Sequence, residues 1–321
     1  MKRRDIRRIV KVKSRRQYEA LKRLDSFLNA NNPRLVRFMV RFWQDQQAAI
    51  SYQELRESYL AGNMTSAQFD QWRQDYAVFF NTYLKDELIN AASLGGASTA
   101  TATAATLSDA WSYRPMSIGI DRWITTHGAE WVTIMSDEGK EAISAMIKYC
   151  TDGNITIDEF SIIIRPTIGL NAPQAAANLN FYNNQKARIK EDLLNKHPKM
   201  KETTAEKQAA KRAKDMAARY AARQHRYRAQ MIAETELAFA YNKGADDAIG
   251  QLMDQGLLPQ MKKVWSTAAD ELVCEICGAL EGETVGYGDS YDFKGRTLYE
   301  GSKETPPAHP KCRCAICYEE V

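Results

Sequence analysis

Apolar residues recur at helical spacing through the first two-thirds of the chain. Between residues 15 and 30, Tyr18, Leu21, Leu24 and Leu28 fall on one helical face. Pro33 suits the first turn of a second helix, where its missing N–H is not needed, and Val36, Val40, Trp43 and Ile50 follow as its apolar stripe. Gly62-Asn63 predicts the end of that helix. Thr65 and Gln68 form a capping-box pattern for a third, in which Phe69, Trp72, Tyr76, Phe79 and Tyr83 read as a core-facing aromatic stripe. Trp111 to Met135 reads as helix with breaks at Pro115 and Gly119, Asp137 as the cap of a short helix to Tyr149, and Thr151 to Ile168 as a turn with a short helix or strand. Asn171 caps, and Pro173 and Gln174 open, a helix to about Leu194 that Lys196-His197-Pro198 ends. Thr203 and Glu206 predict one more capping box, and the pattern stays helical to about Gln255, as one helix or two.

The texture changes after Gly256-Leu257-Leu258-Pro259. Gly, Pro and β-branched residues take over, and Lys262 to Thr267 and Glu283 to Tyr287 read as short strands. The fold class is therefore mostly α: a helical body with a small β-rich, cysteine-bearing, zinc-ribbon-like C-terminal module, α+β in character. Four regions are expected: a basic arm at 1–16, an N-terminal helical region at 17–135, a second helical region at 136–256, and the β-rich module at 257–321.

Composition alters this picture in two places. The chain is only mildly basic, with a net charge of +4 over 321 residues, but its cations are clustered. Arg3, Arg4, Arg7, Arg8, Lys11, Lys13, Arg15 and Arg16 crowd the start with Lys2, and a second basic run extends from Lys186 to Arg228. Such clusters bind phosphate by displacing counterions, dock on an acidic protein surface, or stay solvated. No long apolar stretch follows the basic residues, so the start is not read as a secretory signal. Leu88 to Ser108 is uncharged and long enough to span a bilayer, yet its Ala, Ser, Thr and Gly side chains bury little apolar area; a close-packed helix or a hinge is the better reading.

Cysteine usage is lopsided. Cys150 stands alone and reads as a small buried apolar residue, whereas Cys274, Cys277, Cys312, Cys314 and Cys317 crowd the end. Cys274-Glu275-Ile276-Cys277 is a C-x-x-C knuckle, and His309 and Cys312 supply a second close pair far downstream. Two tight pairs joined by a long loop suit a tetrahedral Zn²⁺ that staples a small module. The favoured ligands are Cys274, Cys277, His309 and Cys312. Cys314 and Cys317 are alternates, since Cys314-Ala315-Ile316-Cys317 is itself a C-x-x-C. Free thiols or a disulfide are the competing readings.

Other patterns fall short of chemistry. Asp152-Gly153-Asn154 with Glu159 looks like half of a calcium loop, but Lys148 and Cys150 occupy the first oxygen-ligand positions. There is no phosphate-binding glycine loop, H-E-x-x-H or G-x-S-x-G. Glu234 and Glu236 are two apart on one helix and cannot act as a pair. Glu234 shares a stripe with Ala238, Tyr241, Ala245 and Leu252, so a buried Glu234 requires a partner such as an arginine from a neighbouring helix. Glu236 aligns with Lys243 and Asp247 on the wetter side.

The run Lys263-Val264-Trp265-Ser266-Thr267, then Asp270, Cys274-x-x-Cys277, Gly282, Pro306-Pro307-Ala308-His309-Pro310 and Cys312-Arg313-Cys314, resembles the C-terminal signature of the phage Mu F-like head-morphogenesis family. Ile232-Ala233-Glu234-Thr235-Glu236, with Asn242 and Gly244, is similar to that family's helical motif, which usually has Arg where Glu234 stands. Ile168-Gly169-Leu170-Asn171 to Gln174-Ala175 resembles a segment of phage minor head proteins, and Cys317 lies outside the family pattern.

The resemblance implies a minor head protein, a portal-associated structural component of the virion acting in head assembly or genome delivery. It would be made in the bacterial host cytoplasm. Its implied partners are portal, capsid or scaffold proteins and phage DNA, with no membrane. No complete catalytic constellation is present, so an enzyme is not expected. Two rivals remain: a DNA-binding accessory protein of the packaged genome, and a toxin-like transferase or metal hydrolase.

Overall fold

A computed structural model describes residues 13–104, 111–114, 118–153, 155–268, 273–293 and 299–321. The fold is mostly helical, with a small antiparallel sheet near the C-terminus. Its helices are α1 (Arg15–Ala49), α2 (Tyr52–Ala61), α3 (Ser66–Phe79), α4 (Lys85–Thr103), α5 (Ile118–Asp152), α6 (Ile157–Ile164), α7 (Ala172–Lys196), α8 (Glu202–Asp254) and α9 (Glu275–Leu280). The strands are β1 (Met261–Ser266), β2 (Thr284–Gly286) and β3 (Ala315–Glu320), in the order β2-β1-β3.

Local caps place several helix ends where the sequence predicts them. Thr65 and Gln68 exchange side-chain-to-backbone bonds before α3, and Asn171 and Gln174 do the same before α7. Gly62 ends α2 at φ 71, and Gly256 takes φ 69 just after α8, a left-handed geometry that other residues rarely adopt.

Long burial stripes override weaker stop signals. α1 continues through Pro33 rather than restarting there, because Leu24, Leu28, Leu35, Met39 and Trp43 are all fully buried along one continuous stripe. That burial outweighs the roughly 3 kcal/mol cost of an interior proline. Gly119 lies in the first turn of α5, and Asp137 lies inside that helix rather than capping a new one. Thr203 likewise falls within the first turn of α8, which runs unbroken to Asp254. A π-helical stretch (Phe80–Leu84) follows α3 and rotates the apolar face by one residue, so Phe80 and Leu84 turn inward while Tyr83 is exposed. Pro115 lies outside the described residues.

The chain divides into two compact units. One comprises residues 34–84 and 128–230. Its core gathers Leu55, Met146, Phe160, Ile164 and Leu179 against Ala213, Ala217 and Ala221 of α8. Gly169, at φ +90, brings the chain so close to Trp43 that any Cβ there would overlap the indole. Glu159 of the calcium-like stretch accepts from Tyr182 Oη and Lys186 Nζ, each at 2.7 Å.

The other unit comprises residues 1–33, 85–127 and 231–321. Here α4 and the last part of α8 cross at glycines: a Cβ on Gly95 would overlap the Tyr241 backbone, and one on Gly244 would overlap that of Ala92. The uncharged segment is thus a close-packed helix as far as Thr103. Among the described residues, no helix is long and apolar enough to cross a membrane.

Candidate metal centre

β1 pairs with β2 on one side and with β3 on the other, and α8 backs the sheet through Ala245, Ala248, Ile249 and Leu252. The sequence pattern predicts strands at β1 and β2 but none at β3. That third strand sets the side-chain parity of the last cysteines: Ile316 and Tyr318 join the core with Cys314, while Cys317, opposite Val264, points to the other face.

The two predicted pairs converge. Cys274 caps the first turn of α9, and Cys277 follows one turn later. On the other side, Lys311 takes φ 62, and the Cys312 N–H donates to the His309 carbonyl at 3.1 Å. That tight turn points both His309 and Cys312 at α9. His309 Nε2 lies 3.0 Å from Cys274 Sγ and 3.1 Å from Cys277 Sγ, and the Cys277 and Cys312 sulfurs are 3.7 Å apart. The sulfurs of Cys277, Cys312 and Cys314 also share one small volume. A tetrahedral site with metal–sulfur bonds of about 2.3 Å separates its sulfurs by about 3.8 Å. Five soft donors therefore cluster at a spacing that can hold a metal ion.

Thiol donation from Cys277 and Cys314 holds the Cys312 sulfur well below the ordinary thiol range. The same sharing pushes Cys277 and Cys314 up. His309 Nδ1 sits 2.8 Å from the Pro310 carbonyl, so a proton there donates outward and leaves the Nε2 lone pair facing the sulfurs. Cys317 takes no part; burial holds its thiol up at about 11.

The helical motif on α8 cradles this module residue by residue. Thr235 Oγ1 accepts the Lys311 N–H at 3.0 Å, and Asn242 Nδ2 donates to the Cys314 carbonyl at 3.2 Å. Glu234 is buried and receives Arg313 at 3.2 Å, so its expected arginine comes from the ligand loop rather than from a helix. Glu236 corrects the sequence reading. It is fully buried rather than wet, lying 2.6 Å from His127 Nε2 and accepting from Tyr299 Oη. His127 and Tyr299 carry no local sequence signal, since only the fold brings them to α8.

Residues 183–317, from α7 to β3, match the family model described as Phage Mu protein F like protein. They form a Phage Mu F-like domain. No curated protein and no solved structure matches the chain. The Mu F-like domain implies a phage head-morphogenesis-type protein, and the donor cluster lies within it. Of the basic arm, Arg3, Arg4, Arg7, Arg8 and Lys11 lie outside the described residues. Lys13 is ion-paired with Glu281, and Arg15 and Arg16 are exposed at the start of α1.

Proposed function

We propose that this protein is a portal-associated minor head protein, acting in head assembly or genome delivery and retained in the virion, with portal, capsid or scaffold proteins as its partners. The observation that carries the reading is the convergence of the donor cluster inside the Mu F-like domain, with the domain's helical motif holding the ligand loop from behind. Residues distant in sequence meet to build one module.

In this reading Cys274, Cys277, His309 and Cys312 hold one structural Zn²⁺. The ion supplies folding energy to a module with little sheet, and its four protein ligands leave no position for a reacting water. Cys314 is the reserve ligand, should an all-cysteine set replace His309. The role is structural rather than enzymatic: Glu234 and Glu236 are both taken up by partners within the fold. A cobalt-substituted sample with the absorption of a closed four-ligand site fits this assignment, whereas an exchangeable water ligand contradicts it.

The assembly role is tested in particles. Mass spectrometry of purified virions should find the chain in a few copies per head, cross-linked to the portal. Normal heads assembled and infecting without it overturn the proposal.

A further inference from the structure

We propose that the cavity bounded by α1, α4 and β3 binds a phosphate monoester. It encloses about 390 Å³ and is lined by Arg15, Arg16, Glu19 and Arg23 of α1, Thr99, Ala102 and Thr103 of α4, and Ile316, Cys317 and Tyr318 of β3. Its lining includes none of the clustered donors Cys274, Cys277, His309, Cys312 and Cys314.

Three features favour an anion. Three arginines against one glutamate leave the lining with a formal charge of +2. Like charges gathered around one cavity repel each other, and a dianion relieves that repulsion. Arg15 and Arg16 also stand at the wrong end of a helix. Ser14 and Gln17 exchange capping bonds of 3.2 and 2.8 Å to start α1, yet its first turn holds no acid. Cations there oppose the helix dipole, whereas a bound anion complements it. Finally, Arg23 Nε is buried with no hydrogen-bond partner among the described residues. A buried donor of that kind is stabilised by an acceptor.

A phosphate monoester fits better than a carboxylate or a bare phosphate. A dianion matches the +2 lining, and several oxygens can take guanidinium donors together. The volume falls in the range of small-molecule sites and exceeds what one phosphate fills. The remaining wall includes the apolar Ala20 and Ala102 and suits an organic group. Such a phosphate can come from a free nucleotide or from the 5′ end of a nucleic acid.

Calorimetric titration of the full metal-loaded chain tests the site and separates the two sources. The probes are deoxythymidine 5′-monophosphate, deoxythymidine, and one short single-stranded oligonucleotide with a 5′-phosphate or a 5′-hydroxyl. The monophosphate or the phosphorylated oligonucleotide should saturate one site per chain, while their unphosphorylated counterparts do not. Preference for the oligonucleotide identifies a strand end as the source, and preference for the monophosphate identifies a free nucleotide. Arg16→Gln and Arg23→Gln should each weaken binding at least tenfold, and Arg212→Gln on the exposed face of α8 should leave it unchanged. Arg16 is exposed, so its substitution leaves the fold intact. Failure of both phosphorylated probes to bind overturns the site. So does equal binding of the two oligonucleotides, or binding indifferent to Arg16 and Arg23. None of these outcomes bears on the metal or on the assembly role.

Discussion

Gly244 of α8 faces the Ala92 backbone of α4 so closely that even a methyl group would overlap it. The contact sets the helix spacing behind the Mu F-like module, and Gly95 repeats it from the other side against Tyr241. Gly244→Ala should therefore destabilise the protein by about 3 kcal/mol, because backbone rather than a flexible side chain must move. Gly139, also within a helix, has open space where its Cβ would go. Gly139→Ala should stabilise by up to about 1 kcal/mol through helix propensity alone. Urea unfolding midpoints at unchanged slope check both signs.

The buried cluster of His127, Glu236 and Tyr299 should behave as a unit. His127→Ala removes one of the two side-chain hydrogen bonds to the buried Glu236 carboxyl and should cost about 1–3 kcal/mol. Tyr299→Phe removes one hydrogen bond to that carboxylate and should cost about 1–3 kcal/mol. Their double mutant should be clearly non-additive, since both act on Glu236. Additive losses would mean that the two side chains are not coupled through it.

These partners show where sequence reading stops. The caps at Thr65–Gln68 and Asn171–Gln174 were legible because donor and acceptor sit three residues apart. The metal-type spacing of Cys274, Cys277, His309 and Cys312 was legible for a related reason, since each pair is local. The burial of Glu236 was not, because His127 lies 109 residues away and Tyr299 lies 63 away. Pro33 and Gly119 read as breaks because local propensity was weighed without the burial stripe that overrides it. The separation of Cys317 from the cluster depends on where β3 begins, and a shift of one residue reverses it.

Cys150 should be chemically silent in the folded protein. It is fully buried, and desolvation, with a smaller contribution from the Glu159 charge, pushes its thiol up to about 12. A thiol reagent at pH 8 should label it only after unfolding. The folded thiol keeps its proton above pH 9, where the unfolded one loses it. Stability from this group is therefore complete below about pH 9 and declines as pH rises towards 12. Cys150→Ala should flatten that alkaline decline. Rapid labelling of the native chain at pH 8 would contradict the buried placement.

Ligand removal should act on the module before the rest. Cys274→Ser with Cys277→Ser, or treatment of the wild type with a strong chelator, should lower the melting temperature. Adding chelator to the double variant should have no further effect, because its metal is already lost. A double variant that melts like the metal-loaded wild type would show that the cluster holds no stabilising ion.

The most direct measurement is the metal content of the purified chain, by elemental analysis under reducing conditions. The purified chain should hold about one zinc, falling to none in the Cys274→Ser, Cys277→Ser variant. A folded, fully reduced chain without metal would contradict this expectation, and would leave the five-donor cluster as a set of packed thiols.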